Sequence, residues 1–225
     1  MRKTTVTLTS ALTLVLLSAC NAGTVPPTDS VSSSSSSTSS SSFSTSSMPA
    51  ASSEASSWTW DGIMQNGKHQ AIIETNKGSI TVELDADTAP KTVTNFMALA
   101  SSGYYSKTTF HRVIPGFMIQ GGDPNGNGTG GQSIFGATFE DEINPVSATY
   151  KTGYKKGVIA MANRGPNTNG SQFFIMDADY PLPPSYTIFG KVTAGQDIVN
   201  AIANVERGAN DMPTEPVTFN VKVVK

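Results

Sequence analysis

Between residues 30 and 57, eighteen of twenty-eight positions are serine, and this tract decides how much of the 225-residue chain can fold at all. A core needs apolar side chains to offset the entropy of ordering a backbone, and the tract offers almost none. Residues 21–57 are therefore expected to be disordered. As a flexible coil the stretch has a mean end-to-end distance of roughly 30–37 Å. Pulled straight it reaches roughly 120–130 Å. It reads as a tether, or as a spacer of no selected length. Residues 58–225 are left as one domain, long enough for a sizeable core, with 58–70 as an N-terminal extension carrying Trp58 and Trp60.

Ahead of the tract, Arg2 and Lys3 precede an apolar run over residues 6–17. The run is short for a membrane span but suits the hydrophobic region of a secretory signal. It ends in Leu17-Ser18-Ala19-Cys20, which resembles the lipobox of bacterial lipoproteins, where the signal is cut before a cysteine that then carries lipid. The expected organisation is a signal peptide over 1–19, then a lipidated Cys20 and linker over 20–57. The protein would be anchored by that lipid on the outer side of a bacterial cell membrane. Cys20 is the one cysteine, so the chain can form neither an internal disulfide nor a thiolate metal site.

Without Arg2 and Lys3 the chain keeps 13 basic and 17 acidic residues, a net charge of −4. No cluster of cations marks a nucleic-acid face, and Lys155-Lys156 reads as a solvated pair. Residues 71–75 and 79–84 flank Asn76-Lys77-Gly78, and Ile80, Val82 and Leu84 alternate with polar residues, which predicts a β-hairpin with one face buried. After Pro90, the spacing of Val93, Phe96, Met97 and Ala100 predicts an amphipathic helix stopped near Gly103. Short apolar runs separated by Gly, Asn and Pro follow. A second helix is expected from about Gln196, and Val217, Phe219, Val221 and Val223 alternate as a final strand. Many strands with two helices fit a closed antiparallel barrel.

Two segments carry the chemistry: FHRVIPGFMIQGGDPNGNGTGG over residues 110–131 and MANRGPNTNGSQFF over 161–174. The first sets Arg112 among Phe110, Ile114, Phe117 and Met118, an expensive place for a cation unless its fork of donors is needed there. Together the segments resemble the cyclophilin-type peptidyl-prolyl isomerases, and the resemblance runs from about residue 71 to 224. It implies eight strands in the barrel, helices capping the ends, and isomerisation of X–Pro bonds without any cofactor. Proline-containing segments of unfolded or exported proteins would be the partners, and the domain would act as a monomer.

That reaction needs no nucleophile, metal or proton carrier. Its barrier of roughly 18–20 kcal/mol comes from amide resonance. In the twisted transition state the proline nitrogen regains a lone pair, so a fixed donor aimed there stabilises the transition state over both ground states. The resemblance assigns this donor to Arg112. It assigns the proline pocket to Phe117, Met118, Phe174 and Leu182. Gln120 and Gln172 would orient the arginine and the substrate carbonyl. Ala162 and Asn163 would lie along the bound peptide, with Asn163 pairing to it through its backbone, and Gly128 would sit in a loop beside the groove. Met118 and Gln120, two apart on a presumed strand, should face the same side.

The sequence departs from the better-known eukaryotic members in three places. Tyr180-Pro181-Leu182-Pro183-Pro184 stands where a tryptophan is expected, which argues against tight cyclosporin binding. Tyr186 replaces a histidine, keeping an aromatic wall with a hydrogen-bonding tip. Arg164 replaces the frequent alanine, and a cation there would favour acidic residues before the proline. Asp123-Pro124-Asn125-Gly126-Asn127-Gly128 begins like a calcium loop, but its twelfth position is Ile134 and its flanks are not helical. With only His69 and His111, a zinc site has no support either. The expected activity is a peptidyl-prolyl isomerase assisting exported proteins. The alternative is a surface module that binds proline peptides on the same scaffold without turnover, and a structural wall protein would leave the groove residues without a role.

Overall fold

The computed structural model describes residues 61–106 and 108–224; the signal segment, Cys20, the serine tract, Trp58 and Trp60 lie outside the described residues. The first hairpin forms from β1 (Lys68–Thr75) and β2 (Gly78–Asp85), and it starts three residues earlier than the apolar alternation predicts. The inward phase pairs Ala71 with Val82 and Ile73 with Ile80, all fully buried. Gly78 closes the turn at φ +136, a backbone conformation that favours glycine, and a Cβ there would press on the Ile198 side chain at 2.6 Å.

Helix α1 (Pro90–Ser101) opens on proline, whose missing N–H is no loss in a first turn. No side chain of its own caps it. Glu142, distant in sequence, does so instead: its carboxylate accepts from the Lys91 N–H at 2.9 Å and the Thr92 N–H at 2.7 Å. A negative charge over exposed N–H groups at a helix N-terminus is stabilising. Strands β3 (Thr108–Ile114) and β4 (Met118–Asp123) follow, then a five-residue helix α2 (Ala148–Thr152) that no periodicity announces. The chain continues through β5 (Val158–Met161), β6 (Phe173–Met176), β7 (Ile188–Ala194), α3 (Gln196–Ala203), a 3-10 turn (Ala209–Asp211) and β8 (Thr218–Val224).

The eight strands close into a barrel in the order β1-β2-β7-β5-β6-β4-β3-β8, with antiparallel neighbours throughout. Helix α1 follows directly on the end of β2, through Ala89 N–H to the Asp85 carbonyl. Helix α3 packs beside its start, where Gly195 presses on the Ser79 backbone. The two helices therefore lie at opposite ends of β2 and add Val93, Phe96, Leu99, Val199 and Ile202 to the interior. Phe96 is central there, 5.3–5.4 Å from the rings of Tyr105, Phe173 and Phe189.

A second apolar cluster lies outside this interior. Met118, Tyr150, Tyr154, Ala160, Phe174, Met176 and Ile188 form it, with Phe117, Ala162, Leu182 and Tyr186 half-buried against it. Strand β6 serves both clusters. Phe173 and Ile175 belong to the interior, Phe174 and Met176 to the outer cluster, and all four are buried. Its unbroken apolar run, FFIM, is what a strand buried on both faces must look like.

Candidate functional site

Strict alternation along β3 would put Arg112 on the same side as Phe110, inside the barrel. The pairing shows why it is not there. Phe110 lies opposite Gly121 and Arg112 opposite Gln120, so two steps along β3 match one along β4 and His111 is the extra residue of a β-bulge. The bulge turns Arg112 outward, onto the face that carries Met118 and Gln120. Gln120 in turn pairs with Phe174, and Phe174 with Ala160, so Arg112, Gln120, Phe174 and Ala160 form one row across four strands. Met118 pairs with Ile114 and Met176 in the next row of the same face. Arg112 is 42% exposed at its side chain. Its Nε lies 3.7 Å from an Asp211 carboxylate oxygen.

His111 is itself buried, and neither ring nitrogen forms a well-aligned hydrogen bond among the described residues. Burial pushes its imidazole below the usual pKa, against the pull of Asp123, and the Arg112 charge adds to the lowering.

Gln120, which the resemblance gives a part in orienting the arginine and the substrate carbonyl, donates through Nε2 to the Gln172 side-chain oxygen at 3.0 Å. Gln172 then donates its own Nε2 to the carbonyls of Gly128 and Gly130 at 3.0 and 2.9 Å. This relay fixes the glycine-rich loop against the strand row. The loop is also organised by Asp123, a residue the sequence offered only as a calcium ligand. Its buried carboxylate accepts from the backbone N–H groups of Asn125, Asn127 and Gly128 at 2.9, 3.0 and 2.6 Å. Burial pushes the carboxyl pKa up, but these N–H groups, with that of Gly130, outweigh it and hold the pKa below its usual value. An aspartate followed by a run of Asn and Gly was the available signal for such a loop.

Across from this loop, Asn163 donates its side chain to the Ser185 carbonyl at 2.8 Å. Its backbone N–H and C=O have no hydrogen-bond partner among the described residues, although the preceding Ala162 N–H is paired to Gln172. An extended peptide could complete that ladder. Arg164 reaches from the same segment over the groove and donates Nη2 to the carbonyls of Thr129 at 2.5 Å and Gly128 at 3.4 Å. Between these rims lies a cavity of ≈ 320 Å³ lined by Gln120, Gly128, Ala162, Asn163, Arg164 and Gln172, among others.

The outer apolar cluster brings together every residue proposed for the proline pocket: Met118 and Phe174 buried, Phe117, Leu182 and Tyr186 half-buried at the edge. Tyr186 stands edge-on to Phe174, with ring centres 5.5 Å apart. Tyr154 fixes its backbone, donating its hydroxyl to the Tyr186 carbonyl at 2.8 Å and accepting from the Tyr186 N–H at 3.1 Å. Phe117 is held in the β3–β4 turn by Asp177, which accepts from Gly116 N–H and donates its own N–H to the Phe117 carbonyl. Tyr180 packs against the Phe117 ring, tilted 39° with centres 4.4 Å apart, and extends the aromatic wall. Tyr154, Asp177 and Tyr180 were not singled out in the sequence as wall residues. Only Tyr180, in the stretch where an aromatic was expected, gave a signal.

The family model for cyclophilin-type peptidyl-prolyl cis-trans isomerases matches residues 71–223. A peptidyl-prolyl cis-trans isomerase-like 1 of Gibberella zeae is 50% identical over 155 residues, covering 68% of this chain and 91% of that protein. One of Aspergillus fumigatus is 49% identical over 156 residues, covering 68% and 94%. Among solved structures, a cyclophilin-type peptidyl-prolyl cis-trans isomerase of Cryptosporidium parvum is similar with a TM-score of 0.66 and 40% identity, over 71% of this chain and 99% of that one. The same protein solved in the presence of the dipeptide Ala-Pro gives 0.64 at 40% identity, over 69% and 99%.

Proposed function

The chain belongs to the cyclophilin-type peptidyl-prolyl cis-trans isomerases, and on that premise we propose that Arg112 drives isomerisation of X–Pro bonds in exported proteins at the outer face of a bacterial membrane. One observation carries the assignment of the site. The bulge at His111 puts a half-exposed guanidinium on the same strand row as Gln120 and Phe174, beside the Met118 and Phe117 surface. In this reading the proline ring seats on Phe117, Met118, Phe174 and Leu182, bounded by Tyr186. The unpaired backbone of Asn163 aligns the residues before the proline. Arg112 offers N–H donors to the proline nitrogen as its conjugation is lost. No covalent bond forms or breaks and only the torsion about C–N changes, so the site needs rigidity more than chemistry, and the Gln120–Gln172–Gly128 relay supplies it.

The location rests on the sequence of residues 1–57: a signal over 1–19, lipid on Cys20, and a serine tether carrying the domain clear of the surface. Uncatalysed X–Pro isomerisation takes tens to hundreds of seconds, which is slow beside the emergence of an exported chain. The first test is the rate of cis-to-trans conversion in an Ala-Pro peptide, with residues 58–225 and with the Arg112→Ala variant. The native domain should be fast and the variant slower by about a hundredfold or more, as for loss of a main transition-state donor. Background rates from two folded proteins would end the catalytic reading and leave a proline-peptide binding module.

A further inference from the structure

The loop between α3 and β8 carries two adjacent residues in the left-handed region, Asn210 at φ +60 and Asp211 at φ +59. Such conformations are unfavourable for any side chain, least so for Asn and Asp, and two in succession persist only where the surroundings hold them. Here the neck of the loop is tied by Thr214 N–H to the Glu206 carbonyl at 2.9 Å and by Gly208 N–H to the Met212 carbonyl at 2.8 Å. The tip lies against β3. There Asp211 presents one carboxylate oxygen to Nε of Arg112 at 3.7 Å and the other to Nε of Arg207 at 3.6 Å.

We propose that Asp211 is a positioning residue for Arg112, steadied in turn by Arg207. This rests on the isomerase reading of Arg112. A long side chain with 42% exposure has many rotamers open to it, and Gln120, the neighbour expected to restrain it, is bonded to Gln172 instead. Asp211 engages the inner nitrogen, Nε. The approach is to Nε and not to the two terminal nitrogens, the fork that would meet the proline nitrogen. Arg207 balances the carboxylate's second oxygen, so Asp211 need not swing around to draw the terminal nitrogens back. The effect is entropic preorganisation: fewer unproductive rotamers to abandon as the transition state forms.

The test uses the full chain and a double-mutant cycle of Asp211→Asn, Arg112→Ala and the pair, with Asp211→Ala as a second single variant. Asparagine keeps the tolerance for left-handed backbone and removes only the charge. Isomerisation of an Ala-Pro peptide is followed with enzyme concentrated enough to measure residual turnover, and the thermal midpoint is recorded for each variant. Asp211→Asn should lower kcat by on the order of threefold to tenfold, with KM and thermal midpoint nearly unchanged. In the Arg112→Ala background it should do nothing further, because there is no arginine left to position. Full activity in Asp211→Asn, a rise in activity, or an equal loss with and without Arg112 overturns the proposal. A native chain that is itself inactive would instead defeat the isomerase reading, so the two failures are separable.

Discussion

His111 shows how one residue sets the direction of its neighbour. As the extra residue of a bulge it lets Arg112 face out, and it carries an imidazole, beside Gly128, whose burial lowers its pKa. The sign follows. The unfolded chain, with an ordinary imidazole near 6.5, takes up the proton before the folded one does. Stability is then fully present above about pH 6.5 and is lost as pH falls toward the lower folded value. We expect the thermal midpoint of the native domain to decline as pH falls below about 6.5, and to decline less in His111→Gln, which cannot titrate. Parallel curves would show that His111 is not the group responsible. Much of this neighbourhood was legible as sequence. Met118 and Gln120 share a face because they are two apart, and the pairing bears that out. Arg112 was recognisable only through its motif, since period-two reasoning puts it inside the barrel. Asp211 was not legible at all, because nothing local links the loop before β8 to β3.

Among the elements, the helices divide by how their sequences announce them. Helix α1 was readable from Pro90 and the spacing of Val93, Phe96 and Ala100, and α3 from Gln196 onward. Helix α2, at five residues, is too short to display a period; it exists because Tyr150 packs into the outer cluster and accepts at its hydroxyl from the Ile188 N–H at 3.0 Å. Burial pushes that phenol up to about 12, so it stays protonated and can still donate toward the carbonyls of Glu142 and Tyr186. The N-terminus of α1 depends equally on a distant partner. Replacing Glu142 with alanine should cost about 1 kcal/mol, the usual value of a lost cap. That corresponds to a thermal midpoint lower by about 2–4 °C for a domain of this size. Isomerase kinetics at room temperature should not change. A midpoint equal to the native one would mean that water caps the helix as well as Glu142 does.

For the molecule as a whole, the closed barrel was foreseeable as a class from the strand-rich pattern, while the count of eight came only from the family resemblance. Location is a separate matter, resting on residues 1–57. In a bacterial cell the native chain should sediment with membranes and Cys20→Ser should remain in the aqueous fraction, with equal activity per molecule. An unchanged distribution would remove the lipid anchor from the account. The barrel's closure has one more consequence. A protein that meets unfolded chains is surrounded by strands looking for a partner, and an open sheet edge would template them without limit. A ring has no edge to extend. On the proposed reading, the Asn163 backbone, unpaired among the described residues, would offer a visiting chain one rung, enough to line up one proline and too little to seed an aggregate.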